Sequence, residues 1–346
     1  MASSDPRDAC PRDARSPASI EPPARLEVCF ELLAEGEVDL ALVELTRIVR
    51  RQGEDGPRAA STLARVLDAL GAAPEARAFD RSAGPGVEST APPLPTDAAA
   101  RFHGARPVPS RGARVERALA DCAARHGFAD KHVIELGGAL PEPSIRALGV
   151  RSWTSLTSLS PERLAPRHRV LPLSARPVPL AAEHYHLVFL AAPLHHLPDP
   201  GFALAESARL LRPGGILFAS LGPLWSGPSG WSCFEDWGDG APLLPGWSQL
   251  LFEEADLAAW LGVTVGAERR NELAARFHAQ TRGVRLFEED VFELFRDAPL
   301  LLERLEPVGT ECAPSPRLRE RLAAIHPGHS RFGAKELRIE LRKGGS

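Results

Sequence analysis

Lysine is nearly missing from this sequence of 346 residues: it stands only at positions 131, 335 and 343, so arginine carries almost all the positive charge. The net charge is −4, which gives no whole-chain positive field and argues against nucleic acid or an anionic membrane surface as partner. There is one methionine and one tyrosine. The five cysteines, at 10, 29, 122, 233 and 312, lie far apart and form no CxxC pair, which excludes a disulfide framework or a zinc site by spacing. No apolar run approaches the roughly 18 residues that a membrane-spanning helix needs. The opening stretch "MASSDPRDACPRDARSPAS" has no apolar centre and does not read as a secretory signal, so a soluble, cytoplasmic protein is expected.

What is present is a hydrophobic fraction of 44%, enough for a substantial core. Residues 1–21 are rich in Pro, Ser, Asp and Arg and read as a disordered leader. Residues 22–81 carry apolar residues at helical spacing in "ARLEVCFELLAEG", "EVDLALVELTRIVRRQ" and "PRAASTLARVLDALG", with glycines between them as helix ends. This predicts a small all-α module that docks a protein partner or a second copy. Residues 82–110, with many Pro, Gly and Ser, read as a linker.

From 111 to 346 the pattern changes. The helix "ARVERALADCAARHG" leads into the strand "HVIEL". Short apolar runs then alternate with helical patterns: "RSWTSLTSL", "HRVLPLS", "YHLVFLAAPL", the helix "FALAESARLL" and "GGILFASLG". Such alternation is the mark of parallel βαβ units and predicts a doubly wound α/β domain. The closing "KELRIELRK" alternates apolar and polar residues, as an antiparallel or edge strand does.

The stretch "YHLVFLAAPLHHLPDPGFALAESARLLRPGGILFAS" resembles the class I S-adenosylmethionine-dependent methyltransferases. The resemblance implies a Rossmann-like methyltransferase fold and S-adenosylmethionine as cofactor. In that family the first strand ends in an acid followed by alternate glycines. Glu135, Gly137 and Gly138 fit, whereas Ala139 and Pro141 stand where further glycines are usual. By the same resemblance Ser158 and Leu159 occupy the ribose-binding end of the second strand, and Ser174 and Ala175 the adenine-side position. Ala192 follows the fourth strand, where His186 replaces a common acid. A charged hydrogen bond is worth about 1.5–3 kcal/mol, so two lost acids weaken cofactor binding by roughly two to four powers of ten. The loop "VIELGGALPE" therefore reads as the remnant of a cofactor loop, and a protein without cofactor stands beside one that uses S-adenosylmethionine.

Two further features bear on chemistry. Residues 221–250 hold Trp225, Trp231, Trp237 and Trp247 together with the acids Glu235 and Asp236, which suits a lid over a small-molecule substrate. The alternative is an apolar lid packed on the core or on a partner. His195 and His196 fall just past the fourth strand, where open α/β sheets place ligands, and are the candidates for a general base. "LHHLPDP" is equally a scaffold spelling of that loop. Three readings follow: a scaffold reused for small-molecule tailoring in secondary metabolism without methyl transfer, a working methyltransferase, and a non-catalytic subunit of a complex.

Overall fold

The computed structural model describes residues 25–104, 111–138, 140–157, 163–164, 167–173, 177–191, 197, 199–230, 243–281, 285–308 and 312–345. Four helices come first: α1 (Leu26–Glu35), α2 (Val38–Arg51), α3 (Gly56–Ala69) and α4 (Ala73–Ala83). Three were legible as apolar stripes. The fourth, rich in alanine, has a weaker periodic signal. Gly36 closes α1 in the left-handed conformation (φ 79°), and its N–H reaches the Leu33 carbonyl at 3.1 Å.

The stretch after α4, expected as a spacer, lies along α3 instead. Ser61 Oγ donates to the Val87 carbonyl at 3.0 Å and Arg65 donates to the Pro92 carbonyl at 2.6 Å, while Ala91 is buried. Prolines leave a backbone with few donors, so its carbonyls bind donors offered by the helix. A short helix α5 (Ala98–Arg101) follows.

The α/β part runs α6 (Arg111–His126), β1 (His132–Leu136), α7 (Glu142–Ala147), β2 (Ser152–Leu156), β3 (Arg163–Leu164), β4 (His168–Leu171), β5 (Tyr185–Leu190), α8 (Pro200–Leu210) and β6 (Leu211–Leu221). It continues through α9 (Ser248–Leu251), α10 (Glu254–Thr264), α11 (Ala267–Thr281), α12 (Glu288–Arg296), β7 (Leu301–Val308), α13 (Pro316–Ile325) and β8 (Glu336–Arg342). The strands form one sheet in the order β3-β4-β2-β1-β5-β6-β8-β7. From β4 to β6 the pairs are parallel, whereas β8 runs antiparallel between β6 and β7. "KELRIELRK" thus forms an interior antiparallel strand. The edge is β7, whose "LLERLEPV" has neither clean alternation nor a turn signal to announce it.

Alternate residues of each central strand serve opposite faces of the sheet. Ile134, Leu136, Val188 and Leu190 join one core with α8 and α12. Val133, Trp153, Leu187, Phe189 and Phe218 join the other with α6 and α7. Burial on both faces is why these strands read as continuous apolar runs. Among the described residues no helix is long and apolar enough to cross a membrane.

The helical residues form a third core, and it does not stop at residue 81. Leu32, Leu42, Leu63 and Phe79 share it with Trp225, Trp247, Leu257, Trp260 and Leu322. α2 and α4 pack on α10. Asp256 of α10, fully buried, sits between Arg47 Nε at 3.3 Å and Arg50 Nε at 3.2 Å. The expected docking module therefore spends its apolar stripes inside its own chain, because α10 and the tryptophan segment supply the partner surface that a separate module would have had to find elsewhere.

Candidate cofactor site

The end of β1 is built around one carboxylate. Glu135 is 4% exposed, and its Oε2 accepts from Ser155 Oγ at 2.6 Å, Trp153 Nε1 at 3.0 Å and the Leu140 N–H at 3.1 Å. Ser155 and Trp153 lie on β2 at positions 155 and 153, so they share a face of the sheet by strand periodicity. Ser155 Oγ also lies 3.4 Å from His168 Nε2 of β4. The result is a buried polar network across three strands, with Glu135 tied to the loop that follows its own strand.

Gly137 turns the chain at φ 71°, and its N–H reaches the Leu156 carbonyl at 2.8 Å. A Cβ added to Gly138 would stand far inside contact distance of Glu135 Oε1, so the buried carboxylate needs a glycine there. Pro141 has a positive function: its carbonyl accepts from Ser144 N at 3.0 Å and Ile145 N at 3.2 Å and opens α7. Its missing N–H costs the helix nothing at that position.

Among the described residues Gly137 thus keeps the left-handed turn that a nucleotide-cradling loop uses, while the acid of β1 faces protein. For S-adenosylmethionine the fit is one of backbone only. Ala139, Ser158, Leu159, Ser174, Ala175, Ala192, His195 and His196 lie outside the described residues, as do Trp231, Glu235, Asp236 and Trp237.

Two of the four lid tryptophans can be placed, and Trp247 is a correction. It is fully buried, and its Nε1 donates to the carbonyls of Phe332 at 2.8 Å and Ser226 at 3.2 Å. An indole so enclosed packs the helical core and offers no face to a substrate. Trp225 is 9% exposed, joins the same core, and has the Arg285 guanidinium 5.4 Å from its ring centroid. Gln249 Nε2 donates to the Trp225 and Gly227 carbonyls at 2.9 and 2.7 Å. A Cβ at Gly230 would come within 2.6 Å of the Trp225 carbonyl. The described ends of the lid are therefore anchored.

Asp39 adds to that anchoring: its Oδ1 accepts from the Gly246 N–H at 2.6 Å and its Oδ2 from the His103 N–H at 2.8 Å. Sequence reading passed over Asp39, Asp256 and Trp260, whose indole donates to the Leu243 carbonyl at 2.8 Å. Acids spaced within otherwise apolar helix faces were the available signal.

His184 and His186 lie at the opposite end of the sheet from the loop. The His132 N–H approaches His186 Nδ1 at 3.3 Å, and the His132 and His184 rings are 4.3 Å apart. Among the described residues no group of three or more His, Cys, Asp or Glu is placed to hold a metal ion.

The family model for the methyltransferase domain matches residues 140–219, from the cofactor loop through β6. That match and the strand order give the α/β part a Rossmann-like methyltransferase fold. No curated protein matches the chain. Among solved structures, this chain is similar to the [4+2]-cyclase SpnF at 16% identity, covering 66% of this chain and 80% of that one, with a TM-score of 0.37. It is similar to 1,6-didemethyltoxoflavin-N1-methyltransferase of Burkholderia thailandensis at 21% identity, covering 67% and 79%, with a TM-score of 0.37. Geranyl diphosphate C-methyltransferase of Streptomyces coelicolor A3(2) aligns at 14% identity over 67% and 80%, with a TM-score of 0.36. Likeness at these scores carries no argument about activity.

Proposed function

We propose that this methyltransferase-fold protein is a small-molecule tailoring enzyme of secondary metabolism whose S-adenosylmethionine site has eroded, so that its pocket works without methyl transfer. The observation that carries this reading is the inward commitment of Glu135, whose Oε2 already accepts three hydrogen bonds from Ser155, Trp153 and Leu140. The serines at 158 and 174, where the family carries acids, point the same way. In this reading His195 and His196, past the end of β5, move a proton on the substrate. Glu235 and Asp236 of the tryptophan-rich segment are the acids available to assist.

A second reading is favoured by the loop backbone. Gly137 keeps its left-handed turn, as a nucleotide-cradling loop requires. The third reading, a non-catalytic subunit docked through residues 22–81, loses support because α1–α4 bury their apolar faces within the chain.

Calorimetric titration with S-adenosylmethionine and S-adenosylhomocysteine decides between the first two. Absence of binding at millimolar ligand is the expected result. Micromolar binding overturns the eroded-site reading and makes the chain a working methyltransferase. A His196→Ala variant that loses turnover of a small-molecule substrate while keeping its fold would support proton transfer at that loop.

A further inference from the structure

β7 ends the strand order and pairs with β8 on one side only among the described residues. Leu301 and Leu302 at its start are 62% and 46% exposed, the most exposed large apolar side chains described. An open strand edge carrying apolar residues is a template for another strand.

The backbone direction along that edge follows from one residue. Pro307 stands opposite Leu337 of β8 and has no N–H to give it. On an edge strand proline occupies a position whose N–H would point away from the neighbour. Hydrogen-bonding direction repeats every second residue, so Leu305 turns its N–H and C=O outward. Leu305 is thus placed to exchange two backbone hydrogen bonds with an incoming strand.

We propose that two copies of this chain pair β7 with β7, antiparallel, about a two-fold axis at Leu305. Under such an axis residues equally distant from Leu305 face each other. Arg304 then faces Glu306 of the second copy, and Glu306 faces Arg304 of the second copy. Both side chains are already on one face, since Arg304 Nη1 donates to Glu306 Oε1 at 2.7 Å within the strand. An axis at Glu303, Arg304 or Glu306 sets like charges opposite each other, which is destabilising, and an axis at Pro307 centres on a residue with no N–H to give. An axis at Leu302 pairs no opposite charges and falls on the register irregularity between Leu302 and Arg304. Charge complementarity therefore selects a second copy as occupant and Leu305 as centre. The exposed Leu301 and Leu302 extend the contact toward Val308 of the second copy.

The test is sedimentation velocity on the full chain and two variants, Arg304→Glu and Glu306→Arg. The wild type is expected to be dimeric. Each variant alone sets like charges across the axis twice and raises the dissociation constant by about tenfold or more. An equimolar mixture of the two restores opposite charges at both positions and is expected to re-form a dimer, which an effect confined to one strand does not explain. A monomeric wild type at about 100 µM, a dimer untouched in both variants, or a mixture that stays monomeric overturns the proposal. Glu306 also accepts from Arg125 at 3.1 Å, so circular dichroism and thermal melting check each variant's fold. If Glu306→Arg does not fold, Arg304→Glu alone decides, by dissociating the dimer or failing to.

Discussion

The indole of Trp153 donates to the carboxylate of Glu135 at 3.0 Å, joining β2 to the end of β1 beneath the loop that should hold a cofactor. Because that contact uses the acid for architecture, its removal reports on stability before it reports on ligands. Glu135→Ala leaves the Trp153 and Ser155 donors buried without their acceptor and should cost about 2–4 kcal/mol. Trp153→Phe removes one donor plus a little packing and should cost about 1–2 kcal/mol. Denaturant unfolding of both variants checks the order. Equal stability of Glu135→Ala and wild type would mean that the network does not organise the loop.

Gly138→Ala tests the loop from its other side. Its Cβ would overlap Glu135 Oε1, so either the carboxylate or the loop must move. A loss of about 1–3 kcal/mol is expected, as for overpacked cores. The same replacement at Gly230, where the obstacle is the Trp225 carbonyl, should cost at least as much, because backbone yields less readily than a side chain.

Asp256 lies between Arg47 and Arg50 with its side chain fully buried. Asp256→Asn removes the buried charge, but Arg47 keeps Glu44 and Arg50 keeps Glu253, so a loss of about 1–3 kcal/mol is expected. Since this contact ties α2 to α10, melting followed by tryptophan fluorescence and by far-UV circular dichroism should shift together. Separate transitions would show that the helical residues fold as an independent module.

Acid should weaken the fold. His132, His186 and His326 all have pKa values lowered from the ordinary 6.5, each chiefly by burial. A group whose folded pKa lies below its unfolded value binds its proton more readily when unfolded. The stability it supports is thus present above about pH 6.5 and is lost as pH falls from there through the folded values. The melting temperature should therefore drop between pH 7 and pH 5, and a His326→Gln variant should flatten that profile. A melting temperature that rises on acidification would reverse the assignment.

Much of the α/β half was legible because its signals are local. "HVIEL" and "YHLVFL" carry strand burial within a few residues and each appears in the sheet where the pattern put it, whereas "LRPGG", which reads as a helix stop and turn, is drawn into β6. β7 escaped because its residues are exposed or half-buried along the whole strand, so neither face imposes alternation. The role of the tryptophan segment was harder to read, since an aromatic run looks alike whether it covers a ligand or packs a core.

The sequence by itself determined the parallel sheet, its helices and the departures at Ala139, Pro141, Ser158 and Ser174, because period and residue type are properties of the chain. Only the tertiary structure decided that Glu135 turns inward, that Trp247 is core, and that α1–α4 close on α10 rather than on a partner. Each of these depends on which distant partner lies within reach, such as the Trp153 N–H for Glu135 or the Phe332 carbonyl for Trp247. Contacts between residues so far apart in the chain leave no periodic trace in its sequence.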